Sequence, residues 1–144
     1  MNKKYTERLS QAKISRICQI LYAELFQQEA YLQQGLTARM LAERNGISAK
    51  DISAVSMEYF GSNFPSLLQR LRVKRVCRLL ASQEYERVSC EHIGLRSGFS
   101  SRQSLYTAFR RLKGMTPEEF RQKNIIPHEK NSNTDDSSTV SGQQ

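Results

Sequence analysis

Residues 98–117 read GFSSRQSLYTAFRRLKGMTP and hold Arg102, Arg110, Arg111 and Lys113 without one acidic side chain. Set on a helix of 3.6-residue period, 101–112 divides into two arcs. Leu105, Ala108, Phe109 and Leu112 fall within about 100°, the width of a core-facing stripe. Arg102, Gln103, Tyr106, Thr107, Arg110 and Arg111 fall on the other side. One face is made for burial. The opposite face offers guanidinium, amide and phenol groups, which suit an anionic, hydrogen-bonding partner.

The charge of the whole chain agrees. Its 144 residues carry 22 Lys and Arg against 14 Asp and Glu, a net +8. Two blocks hold most of it: 62–82 has five basic residues and no acid, and 99–123 has six basic residues and two acids. Clustering of this kind is the footprint of phosphate contact. Catalysis finds little support, because no nucleophile paired with a base, no metal-ligand spacing and no phosphate loop stands out. The chain therefore reads as a non-enzyme with no cofactor and no metal. Cys90 and His92 are near neighbours, but two ligands make no metal site, and a buried thiol beside a surface imidazole is the better reading. Three widely spaced cysteines imply no disulfide framework. No apolar run is long enough to span a membrane, and the start MNKKYTERLSQ lacks the apolar stretch of a signal peptide. A cytoplasmic, nucleoid-associated protein is expected.

The elements that must position these side chains are all helical. Ile14, Ile17, Leu21 and Leu25 predict a first helix over roughly 10–33, ended by Gly35, so 1–34 forms an N-terminal arm and helix. Within 36–61, Thr37 caps a short helix with Met40 and Leu41 turned inward. Asn45-Gly46 then makes the turn, and Ser48 caps a longer helix burying Ile52, Val55, Tyr59 and, less comfortably, Ser56. A connecting helix over 64–82 follows, with Leu68, Leu71, Leu79 and Leu80 as apolar contacts. The pattern then repeats over 89–114, with Gly98-Phe99-Ser100 in the place of Gly46-Ile47-Ser48. Pro117 starts a last helix running to 123, and 124–144 is polar enough to predict a disordered tail. A short helix, a glycine turn and a serine-capped longer helix, twice over, is a tandem helix-turn-helix pattern. The expected fold is all-α, two such modules joined by a long connecting helix.

At IGLRSGFSSRQSLYTAFRRLKGMTPEEFR (93–121) the sequence resembles the AraC/XylS family of bacterial transcription regulators. The match lies in a small-residue helix, the GF pair, a recognition helix ending in FR, and the run G-x-T-P-x-E-F-R. It extends back through LRVKRVCRLL (71–80), where Arg72 and the Leu79-Leu80 pair match, and through LAERNGIS (41–48). Two positions depart from the family: Ser56 stands where many members have a bulky aromatic, and Gly94 where Ala is usual. Many members also carry an effector or signalling domain upstream. Here about 35 residues precede the matching region, as in a stand-alone member or the DNA-binding end of something larger.

The resemblance implies an AraC-type DNA-binding domain over 35–123 that acts on double-stranded DNA as a monomer. Base-reading positions carried over from the family are Arg102, Gln103, Tyr106 and Thr107 in the second unit. In the first unit they are Lys50, Ser53 and Ala54, flanked by Asp51 and Glu58. The chemistry is apt, because Arg forks onto guanine, Gln onto adenine, and Thr meets a thymine methyl. Arg110, Arg111, Lys113, Arg72 and Arg75 are expected on phosphates, which position a protein without reading sequence. Since the first unit's outward face mixes one Lys with two acids, an alternative gives that module a protein partner such as RNA polymerase.

Overall fold

The structure, a computed structural model, describes residues 5–124 of the 144. Its long elements are α1 (Gln11–Leu21), α2 (Ala38–Asn45), α3 (Ala49–Phe60), α4 (Phe64–Leu80), α5 (Cys90–Arg96) and α6 (Arg102–Lys113), with a last helix, α7, over 117–124. No strand occurs among the described residues. The expected tail from 125 onward lies outside the described residues.

Local chemistry sets the helix ends. Thr37, Ser48, Asn63 and Ser89 each accept a backbone N–H of the first turn they precede. These bonds satisfy donors that a helix start leaves orphaned. The second reading helix begins one residue later than the repeat predicts. Its cap is Ser101, whose side chain and that of Ser104 exchange bonds with each other's backbone N–H. Thr116 and Glu119 make the same reciprocal pair at the start of α7 (2.9 and 3.2 Å). The Thr116 N–H, chiefly, holds the Glu119 carboxyl below its ordinary range.

Two apolar cores form, and α4 belongs to both. Phe64, Leu67 and Leu68 join Ile17, Leu21, Leu25, Leu41, Ile52 and Val55 in the first. Val73, Val76, Leu79 and Leu80 join Ile93, Phe99, Leu105, Ala108 and Phe109 in the second. Phe120 of α7 closes the second core edge-on against Phe109, with ring centroids 5.6 Å apart. Gly94 lets α5 approach α6: a Cβ there would stand 2.7 Å from Leu105 Cδ2. That contact accounts for glycine where the family usually has alanine.

Several expectations need correction. The first helix does not run to 33. It passes into a π turn over Tyr22–Gln27 and breaks where Glu29 adopts a left-handed conformation (φ 54°), before a short 3₁₀ turn at Ala30–Leu32. Met40 is not inward but 37% exposed, and Tyr59 is 51% exposed. Ser56, in contrast, is fully buried as expected, with its hydroxyl unpaired.

Arg72 and Arg75 are not arranged for phosphate. Arg72 Nε donates to the Tyr31 carbonyl (2.7 Å) and its Nη2 to the Gln33 carbonyl (3.0 Å). Arg75 meets the Glu29 carboxylate at 3.6 Å with its own side chain 20% exposed. Both reach toward the broken segment after α1, Arg72 to its Tyr31 and Gln33 carbonyls and Arg75 to its Glu29 carboxylate. Gly98, at φ +105°, completes the junction: a Cβ there would lie 2.3 Å from the Tyr31 carbonyl and 2.7 Å from Arg72 Nε. Gln34 adds a side-chain bond to the Leu95 carbonyl of α5 (3.4 Å). Arg72→Ala removes two bonds from a charged donor, leaving the Gln33 carbonyl only its bond from the Leu36 N–H (3.4 Å). It should cost about 2–4 kcal/mol, read by urea denaturation, whereas Lys74→Ala on the exposed side of α4 should be near neutral.

Candidate nucleic-acid interface

The second module builds the cleaner surface. The core side of α6 buries Leu105, Ala108 and Phe109, with Leu112 partly covered. Arg102, Gln103, Thr107, Arg110, Arg111 and Lys113 are exposed, as their arc predicts. Tyr106, Thr107, Arg110 and Arg111 line a shallow open depression along this helix. Arg111 also reaches Gln69 of α4 by a side-chain hydrogen bond, which holds it against the connecting helix.

Tyr106 departs from its expected role. It is half-buried against the second core, and its phenol donates to Glu118 of α7. Burial, then the Glu118 bond and that carboxylate's charge, push the phenol up to about 12. Its hydroxyl is therefore already committed. What it gives the surface is its ring, over which the Arg102 guanidinium carbon lies 4.2 Å from the centroid. Stacking uses the face of the guanidinium and leaves its in-plane N–H donors free. Sequence reasoning misses Glu118 because it lies in the next helix, and no spacing rule links it to Tyr106.

The first module's surface differs. Lys50 and Ser53 are exposed on α3, but Ala54 is 3% exposed. Asp51, expected as a flanking surface acid, is buried: it takes an ion pair from Lys13 (3.3 Å) and a hydrogen bond from Tyr5 (2.8 Å). Its charge is thus compensated inside the module. The Lys50 ammonium lies 5.1 Å from the Tyr5 ring centroid. Lys13 and Tyr5 precede the repeat, so no comparison of the two units could have revealed them.

Elsewhere the described residues offer no group of three or more His, Cys, Asp or Glu able to hold a metal ion. Cys90 is buried while His92 is exposed, and burial raises the thiols of Cys18, Cys77 and Cys90 above their ordinary range. No described helix is long and apolar enough to cross a membrane.

Two glycine-turned helix pairs, hung on one shared helix and each presenting a capped second helix, define a tandem helix-turn-helix domain. The AraC-type helix-turn-helix domain family matches residues 41–123, more than half of the chain, and the chain belongs to that family. Among solved structures it is similar to the C-terminal domain of AraT, a response regulator from Geobacillus stearothermophilus. The TM-score is 0.65 at 25% identity, covering 82% of this chain and 89% of that one. A transcriptional regulator with an AraC-type DNA-binding domain from Chromobacterium violaceum gives 0.56 at 27% identity, over 64% and 80%. The C-terminal domain of the two-component response regulator yesN from Fusobacterium nucleatum gives 0.56 at 25%, over 78% and 99%. No curated protein matches the chain.

Because the Tyr106 phenol is held at about 12, it should ionise after an ordinary tyrosine, whose value is about 10. The sign follows: stabilisation from this bond is full below about pH 10 and is lost as pH rises through 12. Spectrophotometric alkaline titration of Glu118→Gln should show one phenol moving back toward the ordinary value.

Proposed function

We propose that this domain binds double-stranded DNA as a sequence-specific transcription regulator, with α6 as its principal reading helix. The observation that carries the reading is the outward arc of α6, where Arg102, Gln103 and Thr107 stand exposed near the N-terminal end and basic residues follow. The N-terminal part of a recognition helix reaches base edges in the major groove. Arg102, held over the Tyr106 ring, can present its fork to guanine, and Gln103 can pair with adenine. Arg110, Arg111 and Lys113 lie further along, at the height of phosphates. Lys50 and Ser53 make the corresponding, weaker set on α3.

The 17-residue α4 spans about 26 Å at 1.5 Å per residue. Successive major grooves on one face of DNA lie about 34 Å apart. A single chain can hold two reading helices near that spacing, especially on bent DNA, which supports action as a monomer. With Arg72 and Arg75 engaged internally, about four phosphates remain to the exposed cations, for a log–log salt slope of about −3 to −4.

Arg102→Ala should weaken specific binding about tenfold or more and relax preference at one base pair, since a bidentate base contact carries about 1–3 kcal/mol. Lys50→Ala should cost less and act evenly across sequences. Selected-sequence binding profiles of both variants decide between them; a rewritten site from Lys50→Ala alone would reverse the assignment of the reading head.

A second reading gives the first module a protein partner such as RNA polymerase. It is favoured by an exposed aromatic ladder, Tyr22 (55%) stacked on Phe26 (43%) and Phe26 on Phe60, with centroids 5.7 and 6.2 Å apart. On that reading Phe26→Ser should abolish co-purification with purified RNA polymerase while leaving duplex affinity unchanged.

A further inference from the structure

Arg102 opens α6, at the end that a reading helix sends to base edges, and its pose is set from outside that helix. Tyr106 stands four residues on, so the two side chains are neighbours on one helix face. The guanidinium carbon lies 4.2 Å from the Tyr106 ring centroid. An unanchored tyrosine on a helix divides its time between two χ1 rotamers. Here the phenol is anchored, because it donates to Glu118 in the first turn of α7. That helix is itself tied down. Pro117 is buried, Phe120 packs edge-on against Phe109, and Arg121 Nη2 donates to the Tyr85 and Val88 carbonyls (3.3 and 2.5 Å). Carboxylate, phenol and guanidinium thus form one chain, from a fixed helix to the front of the reading helix.

We propose that Glu118 is a positioning residue for base reading: through Tyr106 it holds Arg102 where its fork meets a guanine, and so sets how sharply the domain prefers its sequence. The proposal rests on the DNA-binding reading above. Ordering a long side chain on binding costs affinity, and a guanidinium already laid over a ring has less freedom to lose. Guanine recognition needs two N–H donors of the fork in register with O6 and N7. A related chain runs from Asp51 through Tyr5 to Lys50 in the first module, with the ammonium 5.1 Å from the ring centroid. An ammonium is a point charge without a fork to orient, so the consequence for base reading belongs to the second module.

A bare acid beside DNA would act differently. Glu118 is exposed, and a carboxylate that only repelled phosphates would weaken binding to every duplex alike, since that interaction is independent of sequence. Its removal would then tighten all complexes by one factor and leave the preference intact. The two roles separate in the ratio of affinities for matched and mismatched duplexes.

The test uses a duplex selected by the wild type from a random pool, and the same duplex with one pair replaced, the pair whose preference Arg102→Ala relaxes. Glu118→Ala should lower the affinity ratio about threefold to tenfold, part of what a bidentate contact supplies, and keep the preferences at other pairs. Tyr106→Phe retains the ring, drops the hydroxyl and should lower the ratio likewise. Glu118→Gln keeps an acceptor for the phenol and should restore most of it. In an Arg102→Ala background, Glu118→Ala should lower the ratio no further. An unchanged ratio, an equal tightening of all duplexes, a loss of preference at every pair alike, or a further fall in the Arg102→Ala background overturns the proposal. Proton NMR of the DNA-free protein supplies a second measurement. The Tyr106 ring should shift the Arg102 side-chain resonances in wild type and in Glu118→Gln, and those shifts should shrink in Glu118→Ala. If the wild type prefers no sequence, the DNA reading itself fails; unchanged Arg102 resonances in Glu118→Ala would overturn the positioning separately.

Discussion

The relation between the two modules depends on one half-buried guanidinium. Arg72 sits on α4 where its apolar contacts pass from the first core to the second: Leu67 and Leu68 lie before it, Val73 and Val76 after it. There it binds the carbonyls of Tyr31, in the short 3₁₀ turn, and of Gln33 just after it. Burial lowers the Arg72 pKa from its ordinary value, but two carbonyl acceptors leave the charge well served. A planar fork suits two neighbouring acceptors in a way that a single ammonium does not. Gly98 closes on the same spot, so the turn of the second module, the segment after α1 and the connecting helix share one contact. The pose of α6 relative to α3 follows from that junction more than from any interface between the modules themselves.

This constraint marks the limit of what the sequence discloses. Caps, glycine turns and the two arcs of α6 are local features, set by residues three or four apart, and each is legible in the order of the residues alone. The partners of Arg72 lie about forty positions away. Nothing in LRVKRVCRLL distinguishes the basic residue that turns inward from those that stay in solvent, because the choice is made by what crosses α4. The first helix fails to reach 33 for a related reason. Its apolar stripe continues through Leu25, but the segment must leave the helix axis at Glu29 to cross α4, and tertiary contacts outweigh local preference. Periodicity puts Ala54 on the outward arc with Lys50, but it is buried beside Asp51 and Val55; the width of a buried arc depends on what packs alongside, which periodicity does not report.

Acidic residues give the modules their different characters. In the first, Asp51 is drawn into the interior by Lys13 and Tyr5. In the second, Glu118 reaches across from α7 to fix Tyr106, which in turn carries Arg102. Each carboxylate is engaged with its own module, and the surface between them keeps its positive balance. The second surface is thereby stiffened, and the first loses an acid from its exposed face. Two copies of one motif thus reach unequal surfaces through contacts that lie outside the repeated pattern.

Sharing α4 between two cores also bears on how the chain comes apart. Neither core encloses much more than a dozen buried side chains, and small cores are individually marginal. Local opening follows contiguous cooperative units. Here the units overlap along a single helix, so melting of α5 to α7 would bare Val73, Val76 and Leu80 on the far half of α4 while its near half stayed packed. Fraying would then run inward along α4 only as far as the Arg72 knot. That residue would act as a stop between two foldons, and partial proteolysis would be expected to leave a fragment ending beside it.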